Sequence, residues 1–291
     1  MKKIAIFLIV VFTSIEFHSQ IKEVGLFAGG SYYIGELNRS HFSQQELSIG
    51  FVYKKDFPNR RVSYRFNVLY NQLKAVDFKS GDAFQINRNL DFRNSIIELG
   101  PIFEIDFFEF IPGQNSVDLV GFGTPYFFLG LCYARSNPQA RRYQGNFDNF
   151  SGDWVDLQPL GTEGQETSFN PQKKYSRNQI VIPFGIGVKL NFSHHVSLSL
   201  EYGIRKTFTD YLDDVSGLYP NLELLEQESG SLSAAFSENV REVYDNNGDL
   251  IPKMDYSGLQ RGNASDKDWY MVSGLILTYQ IFSDSSCPKW K

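Results

Sequence analysis

Carboxylates crowd one stretch of this chain: Asp210, Asp213 and Asp214 fall within five residues. A hard cation such as Ca²⁺ takes roughly six to eight oxygens, so the string invites that chemistry. Its spacing does not follow an EF-hand loop, and Asp in a loop commonly caps its own turn. The reading favoured is turn chemistry. Asp245 and Asp249 enclose Asn246, Asn247 and Gly248, and Asn-Gly is a hairpin signal rather than a metal loop. Glu163 and Glu166 offer two carboxylates, but a catalytic pair needs a defined separation in space, which spacing alone does not supply. His194 and His195 are adjacent, and neighbouring strand residues point to opposite faces, so they chelate poorly. No Ser, His and acid set suggests a hydrolase. The expectation is a protein with no catalytic residues, no cofactor and no metal, and not an enzyme.

The elements that must carry these residues are strands. Eight segments read as β: residues 24–37, 47–56, 62–73, 95–108, 125–134, 180–192, 196–209 and 269–282. Each is at least about as long as the 9 to 11 residues a tilted strand needs to cross a bilayer. Alternation is clearest in 196–209, where Val196, Leu198, Leu200, Tyr202 and Ile204 share one face, and Ser197, Ser199, Glu201 and Arg205 the other. A side-chain period of two requires that split. Across the segments the polar faces hold both signs of charge: Arg65, Glu98, Glu104, Asp106, Lys189, Glu201 and Arg205. In a membrane barrel they line the lumen. About eight strands leave an interior that side chains fill. Arg65, Glu98, Glu104, Lys189, Glu201 and Arg205 are therefore expected to form a lumen charge network, with no open pore. A soluble sandwich would turn the apolar faces inward instead.

Connection lengths separate the two. Residues 57–61, 109–124 and 193–195 are the shorter links; 38–46, 74–94, 135–179 and 210–268 are mostly longer. Outer-membrane barrels pair short periplasmic turns with long outer loops, and the short links all fall on one side when both ends are periplasmic. The expected fold is all-β: a closed antiparallel transmembrane barrel of about eight strands with long extracellular loops, in a bacterial outer membrane. Aromatic residues make up 15 % of the chain and suit both strands and interface girdles.

Lys2 and Lys3 precede a 12-residue apolar run at 4–15, which Glu16, His18, Ser19 and Gln20 end. That is a signal-peptide layout, too short to span as a helix. The expected divisions are 1–20 signal peptide, 21–282 barrel and 283–291 periplasmic tail. Beyond residue 20 the charge is −6, from 26 basic and 32 acidic residues, which argues against a nucleic-acid partner. Cys132 and Cys287 could form one bridge in an exported protein, not a disulfide scaffold.

Several strings resemble one family. They are EVGLFAGGSYYIGEL near the start, TPYFFLGLCYARSNPQA, LQPLGTEGQ at 157–165, TDYLDDVSGLY at 209–219, and Arg261-Gly262 followed by Asp266, Asp268 and Tyr270. In order and spacing, over about 23–282, the chain resembles PorG-type outer-membrane proteins of the type IX secretion system of Bacteroidetes. It departs where Gly35-Glu36 replaces Gly-Asp, and Cys287, Pro288 and Trp290 have no counterpart role. The resemblance implies a non-enzymatic barrel that tethers or positions a periplasmic ring, built from a lipoprotein and a ring partner, in support of protein secretion and gliding motility. Its other partner is outer-membrane lipid. Ile111, Val117 and Leu119 in the link 109–124 are the candidate ring contact. The competing readings are a small outer-membrane barrel for transport, lipid modification or ligand binding, and a soluble barrel with an apolar cavity.

Overall fold

The computed structural model describes residues 21–57, 59–112, 122–143, 150–193, 195–238, 243–244, 250–251 and 255–281. The expected signal peptide, the tail, His194, Val117, Leu119, Cys287 and the 245–249 string lie outside them. The strands are β1 (Lys22–Ile34), β2 (Glu46–Asp56), β3 (Val62–Val76), β4 (Asp91–Asp106), β5 (Gly123–Gly130) and β6 (Cys132–Tyr143). Then come β7 (Phe150–Asp156), β8 (Asn178–Ser193), β9 (Val196–Lys206), β10 (Val243–Tyr244), β11 (Leu250–Ile251) and β12 (Trp269–Ile281). Short helices sit in the loops: α1 (Ala83–Arg88), α2 (Leu222–Ser229) and α3 (Ser231–Ser237).

β5 and β6 act as one strand. Their pairing with β4 and with β8 runs on without a register shift across Leu131. The ladder is interrupted there because Pro101 faces Leu131 and has no N–H to give back. Counted this way, an eight-membered antiparallel ring closes: β1, β2, β3, β4, β5 with β6, β8, β9, β12 and back to β1. Closure leaves no sheet edge within the ring, the condition a β-structure must meet to lie in lipid.

The pleat sorts side chains as lipid requires. Odd positions of β9, such as Glu201 and Arg205, are buried inside, while Leu200 is 59 % exposed outside. Leu26, Phe51, Phe103, Phe127, Ile186, Leu275 and Leu277 are exposed in the same outward belt. Monomers in water rarely show apolar patches beyond a few hundred Å². With charges within and apolar side chains around it, the chain is an outer-membrane β-barrel. Among the described residues no helix is long and apolar enough to cross a membrane.

The long links fold where the sequence pattern shows only loops. β7 pairs antiparallel with the end of β6, from Gln139 to Tyr143. β10 and β11 pair on either side of the 245–249 string. The Asn221 side chain accepts from Leu224 N–H at 3.1 Å and caps α2, as Asn does at helix starts. Phe236 of α3 packs with Ala140 and Leu157 in a small satellite core.

Candidate functional site

Two polar regions lie inside the molecule. The lower one is the lumen. Arg65 Nη1 meets Glu104 at 2.9 Å, and its other nitrogen meets Glu201. Lys189 Nζ lies 2.7 Å from Glu104 and 2.6 Å from Asp106. Lys54 reaches Glu23 at 3.2 Å and Glu104 at 3.7 Å. Arg205 pairs with Glu98 at 3.6 Å, and Tyr270 O–H donates to the same carboxylate at 2.6 Å. All six residues expected in the lumen are buried there; Arg65, Glu104, Lys189 and Glu201 form one chain of pairs, and Glu98 with Arg205 a second. The sequence reading missed Lys54, Glu23, Tyr270 and Tyr126, whose O–H donates to Glu201 at 3.0 Å, because an isolated Lys or Tyr on a strand carries no signal of its partner across the ring. Below, Phe110 is buried under Lys54, 5.9 Å from its Nζ. Ile111 is half-buried, and its carbonyl accepts from Asn191 Nδ2 at 2.9 Å. Phe110 and Ile111 thus lie against the floor of the lumen.

The upper region is a cap. Three strings flagged in the sequence, 157–165, 209–219 and 261–270, converge on Glu163. Its Oε1 accepts from Ser216 N–H at 2.8 Å, Gly217 N–H at 3.0 Å and Arg261 Nη1 at 3.0 Å; Oε2 accepts from Tyr211 O–H at 3.2 Å. Four donors leave this carboxylate saturated. It is a hub, not a free acid or base. Glu166 stands apart on the surface, 3.9 Å from Lys174, so the two glutamates make no pair. Asp214 accepts from Thr162 and Tyr175 hydroxyls, at 2.5 and 2.6 Å. Burial pushes its carboxyl up to about 6 against the pull of Arg261. Tyr175 stacks on Tyr211 with centroids 4.4 Å apart. Arg88 grips Asp77 through two nitrogens at 2.8 Å and donates to the Arg261 carbonyl at 3.1 Å. A Cβ on Gly262 would lie 2.8 Å from Ser216 N; only glycine lets these two loops touch.

A third cluster joins cap to barrel. Tyr33, at the top of β1, lies with its hydroxyl 2.6 Å from Asp213 Oδ2, 2.7 Å from Asp268 Oδ1 and 3.3 Å from Glu36 Oε2. Each carboxylate gives its second oxygen to a backbone N–H: Asp213 to Val215 at 3.0 Å, Asp268 to Leu212 at 2.8 Å and Glu36 to Asn263 at 3.0 Å. Burial first, then the neighbouring carboxylates, push Asp213 and Asp268 well above the usual range. Burial also raises Asp210, to about 7. The acidic string therefore divides: Asp213 enters the Tyr33 cluster and Asp214 the Glu163 hub. Glu36 and Asp268 could have been found from strand order, since β1, β12 and β9 are neighbours and these acids flank their upper ends. Beside the cluster opens a cleft of about 550 Å³ lined by Glu36, Arg39, Lys79, Arg88, Arg261 and Asn263. Cys132 is buried and, among the described residues, unbridged; Cys287, its expected partner, lies outside them.

A family model described as "Domain of unknown function (DUF6089)" matches residues 2–147, half of the chain. No curated protein matches the sequence. Among solved structures, the barrel is similar to Neisserial surface protein A, at 11 % identity over 90 % of this chain and 97 % of that one, TM-score 0.35. A major outer membrane protein of Thermus thermophilus shows 10 % identity over 91 % and 100 %, TM-score 0.44. The outer membrane protein OprG of Pseudomonas aeruginosa shows 10 % over 91 % and 96 %, TM-score 0.33. The assignment of the fold rests on the closed strand ring and its inverted pleat.

Proposed function

The chain belongs to the DUF6089 family, and we propose that it is a non-enzymatic scaffold of the outer membrane, a barrel of the type IX secretion machine that tethers or positions the periplasmic ring. The observation that carries the scaffold reading is the filled interior. Arg65, Lys189, Glu104 and Glu201 are buried in mutual ion pairs across the lumen, with Phe110 packed beneath Lys54. A passage for solutes would have to break those pairs. The Glu163 and Asp214 carboxylates of the cap are held by hydrogen bonds. The secretion role rests on the resemblance of the flagged strings; three of them, 157–165, 209–219 and 261–270, meet in the cap.

The test is a pull-down of the tagged full chain from outer membranes of its own cell. Recovery of the ring lipoprotein and its ring partner, with loss of cargo secretion on deletion of the gene, supports the reading. A barrel that partitions to the outer membrane without either ring protein overturns it. Ile111, Val117 and Leu119 are the proposed contact, and polar replacements there should weaken the pull-down.

The cleft beside Arg39 and Lys79 favours a second reading, a small barrel for transport or ligand binding. Steady conductance in planar bilayers would support the transport form, and a silent bilayer opposes it.

A further inference from the structure

The Tyr33 cluster has a proton deficit. A phenol has one proton to donate, yet three carboxylate oxygens converge on this one hydroxyl, which already accepts from Glu36 N–H at 2.9 Å. At most one of those contacts is a hydrogen bond from Tyr33. The other two set carboxyl oxygens against a phenol lone pair unless a proton or a cation is shared between them. Lys and Arg do not resolve this. Among the described residues no ion pair reaches Glu36, Asp210, Asp213 or Asp268, whereas the lumen carboxylate Glu104 has three. Arg88, whose charge acts on Asp213, is held by Asp77.

Asp210 adds a separate observation. It is 2 % exposed, and neither carboxylate oxygen has a hydrogen-bond partner of good geometry. Glu36 is the carboxylate that bears on it most strongly, with the Ser216 hydroxyl favouring its charge. A buried carboxylate without a well-formed hydrogen bond, set within reach of the Glu36 charge, is costly in water-free surroundings unless something positive is shared.

We propose that Glu36, Asp213 and Asp268, with Asp210 beside them, form a binding site for a divalent cation, and that the ion is calcium. Ligand oxygens of the three carboxylates lie within 4.8 Å of one another. With Ca–O distances of about 2.3–2.6 Å, two ligands of one ion stand at most about 5 Å apart, so no pair among the three is too far apart to share one ion. The three backbone N–H bonds fix one oxygen of each carboxylate and aim the other inward, which lowers the ordering cost of binding. Magnesium keeps several waters and near-ideal octahedral geometry; calcium accepts irregular sets of protein oxygens, as a buried cluster offers. Bound there, the ion ties the upper ends of β1, β12 and β9 together and staples the cap to the barrel.

The site is tested on the folded, full-length barrel in detergent, freed of divalent ions by chelation. Titration with calcium chloride, read by calorimetry, should show one site with a Kd near or below about 10⁻⁴ M, the range suited to sites bathed by external calcium. Terbium should bind in its place and give tyrosine-sensitised emission that calcium displaces. Asp268→Asn should weaken calcium at least tenfold, and the exposed neighbour Asp266→Asn should leave it unchanged. Should Asp268→Asn fail to fold, Tyr33→Phe keeps the carboxylates and should dim terbium emission while calcium still binds. No heat and no terbium emission at 10 mM metal, on the order of a hundred times the expected Kd, would overturn the proposal. So would unchanged affinity in Asp268→Asn. Neither result touches the scaffold reading, which is decided by the pull-down.

Discussion

In the lumen, Glu104 is met by three cationic nitrogens within 3.7 Å. At the rim, Asp213 and Asp268 are met by backbone N–H groups and one tyrosine hydroxyl. Both sets are buried. The difference follows from what each neighbourhood can offer. Ladder bonds consume every strand N–H, so a carboxylate inside the ring needs side-chain partners, and alternation puts Lys and Arg within reach across the lumen. At the rim the ladder ends. Loop N–H groups are free to point at carboxylates, and no strand supplies a cation there. In one region every carboxylate has a cationic partner; in the other, among the described residues, Asp213 and Asp268 have no ion-pair partner.

The largest effect that separates them is expected from Glu104→Gln. It strips the shared acceptor from Lys54, Arg65 and Lys189 at once. Breaking a buried pair by removing one partner costs about 3–5 kcal/mol. Urea unfolding of the refolded barrel should show that loss globally, with the heat-shifted gel mobility of the folded form disappearing at lower temperature. A loss below about 1 kcal/mol, the range of an exposed ion pair, would mean the lumen is wet.

Arg261→Ala is the matching break in the cap, at about 3 kcal/mol, because Glu163 and Asp214 lose their shared cation. Its effect should stay local. Proteolysis should cut within 157–177 and 207–219 while the barrel keeps its unfolding midpoint. Global unfolding in that variant would erase the distinction between cap and ring. A smaller loss, about 2 kcal/mol, is expected from Tyr33→Phe measured in chelator, since two buried carboxylates then lose their only hydroxyl. Cap proteolysis reads it, and protection equal to the wild type would show that the backbone amides alone suffice.

Much of the ring was legible, and the reason is the period of two. In 196–209 the apolar and polar sets separate without exception from Val196 to Arg205, and β9 places them outside and inside accordingly. Strand ends were less legible: β3 and β4 run on to Val76 and from Asp91, beyond the segments 62–73 and 95–108, because Lys74 and Asn94 look like loop residues until their partners are known. Asn94 in fact spends its side chain on the Leu212 carbonyl at 2.7 Å, a contact 118 residues away. The cap was legible as strings, not as a site. Glu163, Asp213, Arg261 and Asp268 are far apart in sequence, and no local period announces that they meet. Their signal was position: each follows or precedes a strand at the same end of the barrel.

The smallest expected effect probes a third way of matching charge, at the outer edge of the rim. Trp154 on β7 lies between two guanidinium groups, with Arg93 at 4.3 Å and Arg141 at 4.4 Å from its ring. Arg141 also pairs with Asp91 at 2.9 Å and Arg93 donates to Gln139 at 2.8 Å, so the tryptophan orders two side chains that hold β4 to β6. Partly exposed cation–π contacts contribute about 0.5–1 kcal/mol each. Trp154→Ala should therefore cost about 1 kcal/mol, seen as faster amide exchange in β7 and at the upper end of β6, with the lumen strands unchanged. Trp154→Phe retains a weaker ring face and should recover part of that protection, whereas Trp154→Leu keeps the apolar bulk and should not. Equal exchange in the Phe and Leu variants would show that packing, not the ring's charge distribution, holds the two arginines.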